Sequence, residues 1–78
     1  MSTVHVLSEK DMPVLGVYSD LSKATTAAMR IVVELEERYG IASEVYSEHA
    51  TVWWWADKDG RRLAEVRIMA HALDPQDP

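Results

Sequence analysis

The chain has 78 residues and a mass of 8.8 kDa, which allows one small domain whose core is only marginally large enough for independent folding. It contains no cysteine, so neither a disulfide framework nor a thiolate metal site can stabilise it. Its formal net charge of −5 argues against a general nucleic-acid binder, because such proteins use lysine and arginine to neutralise phosphates.

The first part of the chain predicts two short strands joined by a loop. Residues 3–7 are rich in β-branched side chains, which favour a strand. Residues 8–13 are mostly polar and end in proline, so we interpret them as the loop. Residues 14–18 are almost entirely apolar, which predicts a second strand that is buried on both faces of a sheet.

The next segment predicts a long helix over residues 20–39. Ser19 and Asp20 are both good N-cap residues, and Gly40 supplies the left-handed residue that commonly ends a helix. Ile41 is expected to make the apolar contact that accompanies such a helix end. The expected buried stripe, with Val32 widening it, consists of Leu21, Ala24, Ala28, Ile31, Leu35 and Tyr39.

The second half predicts a hairpin. Residues 42–49 are ambiguous and predict at most a short strand. Residues 51–56 predict a clear strand, residues 57–60 a turn that ends in glycine, and residues 62–72 the returning strand.

These elements predict an α+β fold with the order β-β-α-(β)-β-β. One helix is expected to pack on one face of an antiparallel sheet of four to five strands. Residues 1–73 are expected to form the single domain, and residues 74–78, which are polar and contain proline, a flexible tail.

The junction between the second strand and the helix carries a recognisable motif in residues 14–24, where Gly-Val-Tyr-Ser ends the strand and Lys-Ala lies in the first turns of the helix. In about the first 40 residues the chain resembles a group of small, mostly uncharacterised proteins of phages and bacteria. The resemblance implies a strand that runs into a capped helix, together with a phage or prophage setting. It implies no catalytic residue.

The sequence contains no motif for catalysis or metal binding. No serine lies in a Gly-x-Ser-x-Gly elbow, and the isolated glycines form no phosphate loop. His5, His49 and His71 lack the spacing of a metal site. We therefore expect a non-enzymatic protein without cofactor or metal. We also expect neither a signal peptide nor a membrane segment, and a cytoplasmic location, in the host cell if a phage encodes the chain.

Trp53, Trp54 and Trp55 stand in a row, so neighbouring rings point to opposite faces of their strand. A three-residue turn over residues 58–60 directs Trp54 to the helix-covered face and the other two rings to the opposite face. A two-residue turn over residues 59–60 shifts the register by one, so that Trp53 and Trp55 enter the core instead. We prefer the first register because it pairs apolar residues more completely.

The preferred register predicts an exposed apolar patch on the face of the sheet away from the helix. Its members, which we expect to bind a partner, are Trp53, Trp55, Leu63, Arg67 and Met69. The expected partner is a host protein, such as an enzyme or defence component that is inhibited, or a second copy of the chain in a homodimer. The alternative is an accessory protein that binds single-stranded nucleic acid or a small ligand on the same tryptophan face.

Overall fold

The computed structural model describes residues 2–47 and 49–73, which form a five-stranded antiparallel sheet and one helix. The elements in chain order are β1 (Ser2–Glu9), β2 (Met12–Tyr18), α1 (Leu21–Tyr39), β3 (Ser43–Tyr46), β4 (Ala50–Ala56) and β5 (Arg62–Leu73). The strand order across the sheet is β2-β1-β5-β4-β3. The predicted α+β fold is confirmed, and β3 is the short strand that the sequence left ambiguous. The predicted tail, residues 74–78, lies outside the described residues.

Helix α1 connects the two edge strands of the sheet, because β2 and β3 lie at opposite ends of the strand order. It therefore crosses one face of the sheet and covers it. The buried core between the helix and this face consists of Leu7, Ala24, Ala28, Val32, Trp53, Trp55, Val66 and Ile68. The helix contributes only small and medium side chains to this core, so the large side chains from the strands fill the space beneath it.

The buried stripe of α1 is shorter than predicted. Its fully or partly buried apolar members are Ala24, Ala27, Ala28, Ile31, Val32 and Leu35. The two ends of the predicted stripe, Leu21 and Tyr39, are exposed. A helix of 19 residues spans about 28 Å, whereas the four gaps between the five strands that it crosses, at about 4.8 Å each, span only about 19 Å. The ends of the helix therefore have little sheet to pack against.

Both ends of α1 are capped at the predicted positions. The Oδ1 atom of Asp20 accepts a hydrogen bond of 2.9 Å from the backbone N–H of Ser22, and this bond lowers the pKa of Asp20. Gly40 has a φ of 96° and donates its N–H to the carbonyl oxygen of Glu36 at 2.9 Å. The predicted apolar contact of Ile41 is wrong, because its side chain is 93% exposed.

β1 and β2 form a tight hairpin, so the predicted loop over residues 8–13 is wrong. β1 extends to Glu9 and β2 begins at Met12, which leaves Lys10 and Asp11 as the turn. The cause is pairing with β5, which is distant in sequence. Glu9 lies opposite Val66, and Lys10 donates its N–H to a β5 carbonyl oxygen at 3.1 Å.

β2 is an edge strand, so its predicted burial on both faces is wrong. It pairs with β1 on one side only, and the pairing register shifts between Leu7 and Glu9, opposite the part of β2 that contains Pro13. Its most exposed side chains are those of Met12, Val14 and Val17. An apolar run is also typical of a buried central strand, which is why the sequence pattern alone misplaced this segment.

The turn between β4 and β5 has the predicted three-residue form. Asp57 donates its N–H to the carbonyl oxygen of Arg61 at 2.9 Å, and Gly60 donates its N–H to the carbonyl oxygen of Asp57 at 3.0 Å. Gly60 has a φ of 83°, a conformation that side chains disfavour. The carboxylate of Asp57 also accepts N–H groups of Asp59 and Arg61, both at 2.9 Å, which stabilises the turn.

A bulge that follows this turn overturns the preferred register of the hairpin. Ala56 lies opposite Arg62, but Trp55 lies opposite Ala64, so Leu63 has no residue opposite it. From this point the pairing is that of the second predicted register, although its two-residue turn is not present. The preferred register was wrong because it combined the correct three-residue turn with two strands that pair without a bulge.

The bulge directs two tryptophans into the core. Trp53 and Trp55 are 2% and 3% exposed, and Trp54 is half-buried on the opposite face. The indole Nε1 of Trp55 donates a hydrogen bond of 2.9 Å to the carbonyl oxygen of Gly40. The ring of Tyr46 packs edge-on against Trp53, with their centroids 6.3 Å apart. These contacts attach the helix end and β3 to β4.

We expect Trp55→Phe to lower the free energy of unfolding by about 2 kcal/mol, through a small cavity and the lost hydrogen bond to Gly40. Urea denaturation followed by circular dichroism measures the effect. The matched control is Trp54→Phe, for which we expect a loss below about 1 kcal/mol because the ring is only half-buried. Equal losses in both variants would contradict the role of Trp55.

Candidate functional site

The sheet face opposite α1, which we name the open face, has no other element packed over it within the described ranges. The strand registers set Val6 opposite Met69, and Val52 between Val45 and Arg67. Residues opposite one another in neighbouring strands lie on the same side of a sheet, so these side chains form a connected band. The open face is defined by Val6, Val17, Val45, Val52, Trp54, Glu65, Arg67 and Met69.

An ion cluster lies on the part of the open face nearest the β4–β5 turn. The carboxylate of Glu65 pairs with Arg62 at 3.1 Å and also with Arg67. The side chain of Glu65 is only 13% exposed, whereas those of Arg62 and Arg67 are 45% and 42% exposed. The guanidinium of Arg62 lies 5.0 Å from the centroid of the Trp54 ring, in cation–π contact. The cluster therefore presents two positive groups to solvent and conceals its one negative group.

The surroundings of Glu65 keep its carboxyl ionised. Burial raises the pKa of this group, but the hydrogen bond and charge of Arg67, together with those of Arg62, lower it by more. The net result is a pKa below the ordinary value. At neutral pH the ionised carboxylate offsets one of the two guanidinium charges, so the cluster carries one net positive charge on a chain whose total charge is −5.

An open cleft of about 360 Å³ lies beside the ion cluster. Val6 and Met69 line it with apolar surface, Arg67 and Lys10 with positive groups, and Glu9 and Glu65 with carboxylates. The Nη1 atom of Arg67 also approaches the Sδ atom of Met69 at 4.0 Å. The volume is at the lower end of the range for ligand sites, so the cleft suits one or two side chains of a partner.

The structure does not bring the five predicted site residues together. Arg67 and Met69 lie on the open face, where both line the cleft. Leu63, the bulge residue, is 42% exposed and lines a different cleft, together with Leu35 and Arg38 of α1. The bulge is the cause, because it removes Leu63 from the alternation that the sequence pattern assumed.

The predicted exposure of Trp53 and Trp55 is wrong, because both rings are in the core. The tryptophan that the open face carries is Trp54, which the preferred register placed under the helix. The second register identified Trp54 correctly, so the signal was present in the sequence. The choice between the two registers depends on Leu63, which has no residue opposite it. The sequence of the turn alone does not show this.

The three histidines do not form a common site. His5 and His49 line a small cavity of about 30 Å³, whereas His71 lines the cleft of the open face. No group of three or more His, Cys, Asp or Glu side chains in the described part of the chain could hold a metal ion. Among the same residues, no helix has the length and apolar character needed to cross a membrane.

Comparison with known proteins gives no relative for this chain. No family model matches it, and no curated protein and no solved structure is similar to it. The fold therefore offers no functional analogy, so a proposed function has to rest on the chemistry of the open face.

We expect the Trp54→Phe protein to show blue-shifted tryptophan fluorescence with little quenching by acrylamide, because its remaining two indoles are buried. Wild type should be quenched more strongly through Trp54. The measurement is a Stern–Volmer titration of both proteins in the folded state. Strong quenching of the Trp54→Phe protein would mean that Trp53 and Trp55 are exposed after all.

We expect Glu65→Gln to lower the free energy of unfolding at neutral pH, because the ionised carboxylate pairs with two arginines. A lowered pKa in the folded state stabilises the protein above the ordinary value of 4.5, and this stabilisation is lost as pH falls through the lowered value. The difference between wild type and variant should therefore shrink in acid. Urea denaturation between about pH 7 and pH 3 measures it.

The control is Glu37→Gln, which removes an exposed helix carboxylate without an ion pair in the described ranges. Its free energy of unfolding should equal that of wild type at every pH. If Glu65→Gln also followed wild type at neutral pH, the ion cluster would not stabilise the fold.

Proposed function

We propose that this protein is a small, non-enzymatic interaction module that binds a partner protein through the open face. The observation that carries the proposal is the half-buried apolar band around Val6, Val52 and Met69, which no described element covers, next to Trp54 and the ion cluster. In a chain of 78 residues, so much uncovered apolar and aromatic surface is expected to have a binding role. Trp and Arg are also enriched among the residues that dominate binding energy.

The charge distribution indicates the chemistry of the partner. Arg67 on the open face and Arg62 beside it are both exposed, and Lys10 adds a third positive group at the rim of the cleft. These three positive groups outnumber the two carboxylates of the cleft, those of Glu9 and Glu65. A segment that combines an acidic side chain with an apolar one would match both Arg67 and Met69. The proposed partner therefore presents an acidic-apolar segment, and it is a host protein if the chain is phage-encoded.

The alternative, stacking of single-stranded nucleic acid, has weaker support. The open face offers one tryptophan, Trp54, and the guanidinium of Arg62 already lies over its ring. Proteins that bind single strands combine several aromatic platforms with a strongly positive groove. The net charge of −5 opposes that electrostatic attraction.

The experiment uses two matched double variants. Arg67→Gln with Met69→Gln removes one charge and one apolar side chain from the open face. Met29→Gln with Arg30→Gln removes the same residue types from the solvent side of α1, where Met29 is 39% exposed. Wild type serves as bait in host lysate, and the captured protein is then purified and titrated against all three chains.

We expect the open-face variant to bind the purified partner about 30-fold more weakly than wild type, or about 2 kcal/mol. The helix variant should bind as wild type does. Loss of binding in the helix variant alone would overturn the proposal. Fluorescence quenching by a ten-nucleotide oligothymidylate at low salt, with no partner protein retained, would favour nucleic acid instead.

A further inference from the structure

The outer surface of α1 carries two apolar side chains that no described element covers. Met29 and Val33 are 39% and 49% exposed. They lie four residues apart, so they are neighbours on the helix surface. Both line an open groove of about 640 Å³, whose other lining residues are Thr25, Thr26, Arg30 and Glu34. Only residues of α1 line this groove, so a second molecule can reach it from solvent.

A row of three charged residues runs along one edge of α1 beside this groove. Lys23, Arg30 and Glu37 follow one another at intervals of seven residues, and all three are exposed. Seven residues are close to two helical turns, so the three side chains lie nearly in line, about 10.5 Å apart along the helix. None of them has an ion pair within the described ranges. We name these three residues the charged edge.

The order of the charges along this edge favours an antiparallel neighbour. Asp20 at the N-cap and Arg38 in the last turn follow the helix macrodipole. The charged edge runs against it, with Lys23 in the first turn and Glu37 near the helix end, so the dipole does not account for this arrangement. An antiparallel helix with the same edge sets negative beside positive at both ends, and a second copy of α1 is such a helix.

We propose that two copies of this chain associate through antiparallel α1 helices, about a two-fold axis at the height of Val32. At a rise of about 1.5 Å per residue, the two Val33 side chains are then offset by about 3 Å along the helices, and so are Met29 and Val33 of the other copy. A two-fold axis perpendicular to both helices brings like edges together, so the two charged edges face each other. This surface is separate from the open face, so the inference goes beyond the proposed function.

Charge complementarity supports a second copy as the occupant. In this register Glu37 of one copy lies at the height of Ala27 of the other, between Lys23 and Arg30. Its offset along the helix is about 6 Å from Lys23 and about 4.5 Å from Arg30, which both long side chains can span. The two copies of Arg30 are offset by about 6 Å, and those of Glu37 by about 15 Å. The contact nearest in height is therefore between opposite charges, and it occurs twice in the dimer.

A cleft that could receive the carboxylate of Glu37 lies at the same place. It has a volume of about 340 Å³, and Lys23, Ala27 and Arg30 line it together with Tyr18 of β2. No carboxylate is among its lining residues, and the small side chain of Ala27 leaves room between the two positive groups. The cleft therefore offers an uncompensated positive site where the proposed register delivers a negative group.

The size of the contact sets the expected affinity. Two apolar residues and one charged edge per copy bury less than the about 800 Å² per partner that a standard stable interface buries. We therefore expect a dissociation constant in the micromolar range or weaker, and a monomer at low concentration.

Disulfide trapping tests the axis and the helix direction, since the chain has no cysteine of its own. At a usual interhelical distance of about 9 Å, the two Val33 Cα atoms come within the range of a disulfide. We expect Val33→Cys to form linked dimers in a glutathione redox buffer at high protein concentration. Met29→Cys should not, because its two copies are offset by about 9 Å along the helices.

The matched control is Val45→Cys, a strand position that is 50% exposed and should form no more than background dimers. Parallel helices would link the Met29→Cys protein as readily as the Val33→Cys protein. That result, or a Val33→Cys protein that links no better than the control, would overturn the inference.

Exchange of charges tests the charged edge. Lys23→Glu with Arg30→Glu makes the edge entirely negative, and Glu37→Lys makes it entirely positive. In sedimentation equilibrium, the average mass of wild type should rise from 8.8 kDa toward twice that value with concentration, whereas each variant alone should stay monomeric. An equimolar mixture of the two variants should regain the dimer, because opposite charges then meet along the whole edge. Circular dichroism verifies that both variants are folded.

Two further proteins separate this inference from the proposed function. Arg67→Gln with Met69→Gln should still dimerise, whereas Met29→Gln with Arg30→Gln should be monomeric and still bind the partner of the open face. A wild type that stays monomeric at millimolar concentration, or a charge-exchanged mixture that does, would overturn the inference and leave the proposed function unaffected.

Discussion

The register between β4 and β5 determines which tryptophans form the core, and it depends on one unpaired residue, Leu63. Without the bulge, the three-residue turn would direct Trp54 beneath α1 and leave Trp53 and Trp55 facing solvent. A buried aromatic side chain contributes about 4–6 kcal/mol at about 25 cal/mol per Å². The bulge costs about one ladder hydrogen bond, or roughly 1 kcal/mol net. Burial of a second tryptophan therefore outweighs the lost pairing several-fold.

The two buried rings also explain why the side chains on the buried face of the helix are so small. Ala24 and Ala28 are completely buried, so the helix leaves room for the indoles of Trp53 and Trp55 rather than competing with them. The hydrogen bond from Trp55 to Gly40 then fixes the end of the helix over β4. The large buried side chains lie on this side of the sheet, and the single helix covers this face only. The opposite face has no described element packed over it.

Local chemistry predicted much of this fold. The helix, its caps at Asp20 and Gly40, and the turn after Asp57 depend on neighbours within a few residues, and the structure has them at the predicted places. Other features depend on pairing between distant segments. The bulge at Leu63 and the edge position of β2 are two of these, and alternation of apolar residues does not encode them.

The candidate site was predicted only in part for the same reason. Arg67 and Met69 were placed on the correct face, because β5 keeps its alternation on the far side of the bulge. The tryptophans were misplaced, because a shift of one residue exchanges the two faces of a strand. The sequence allowed both registers. The choice between them depends on how much apolar surface each register buries in the complete fold.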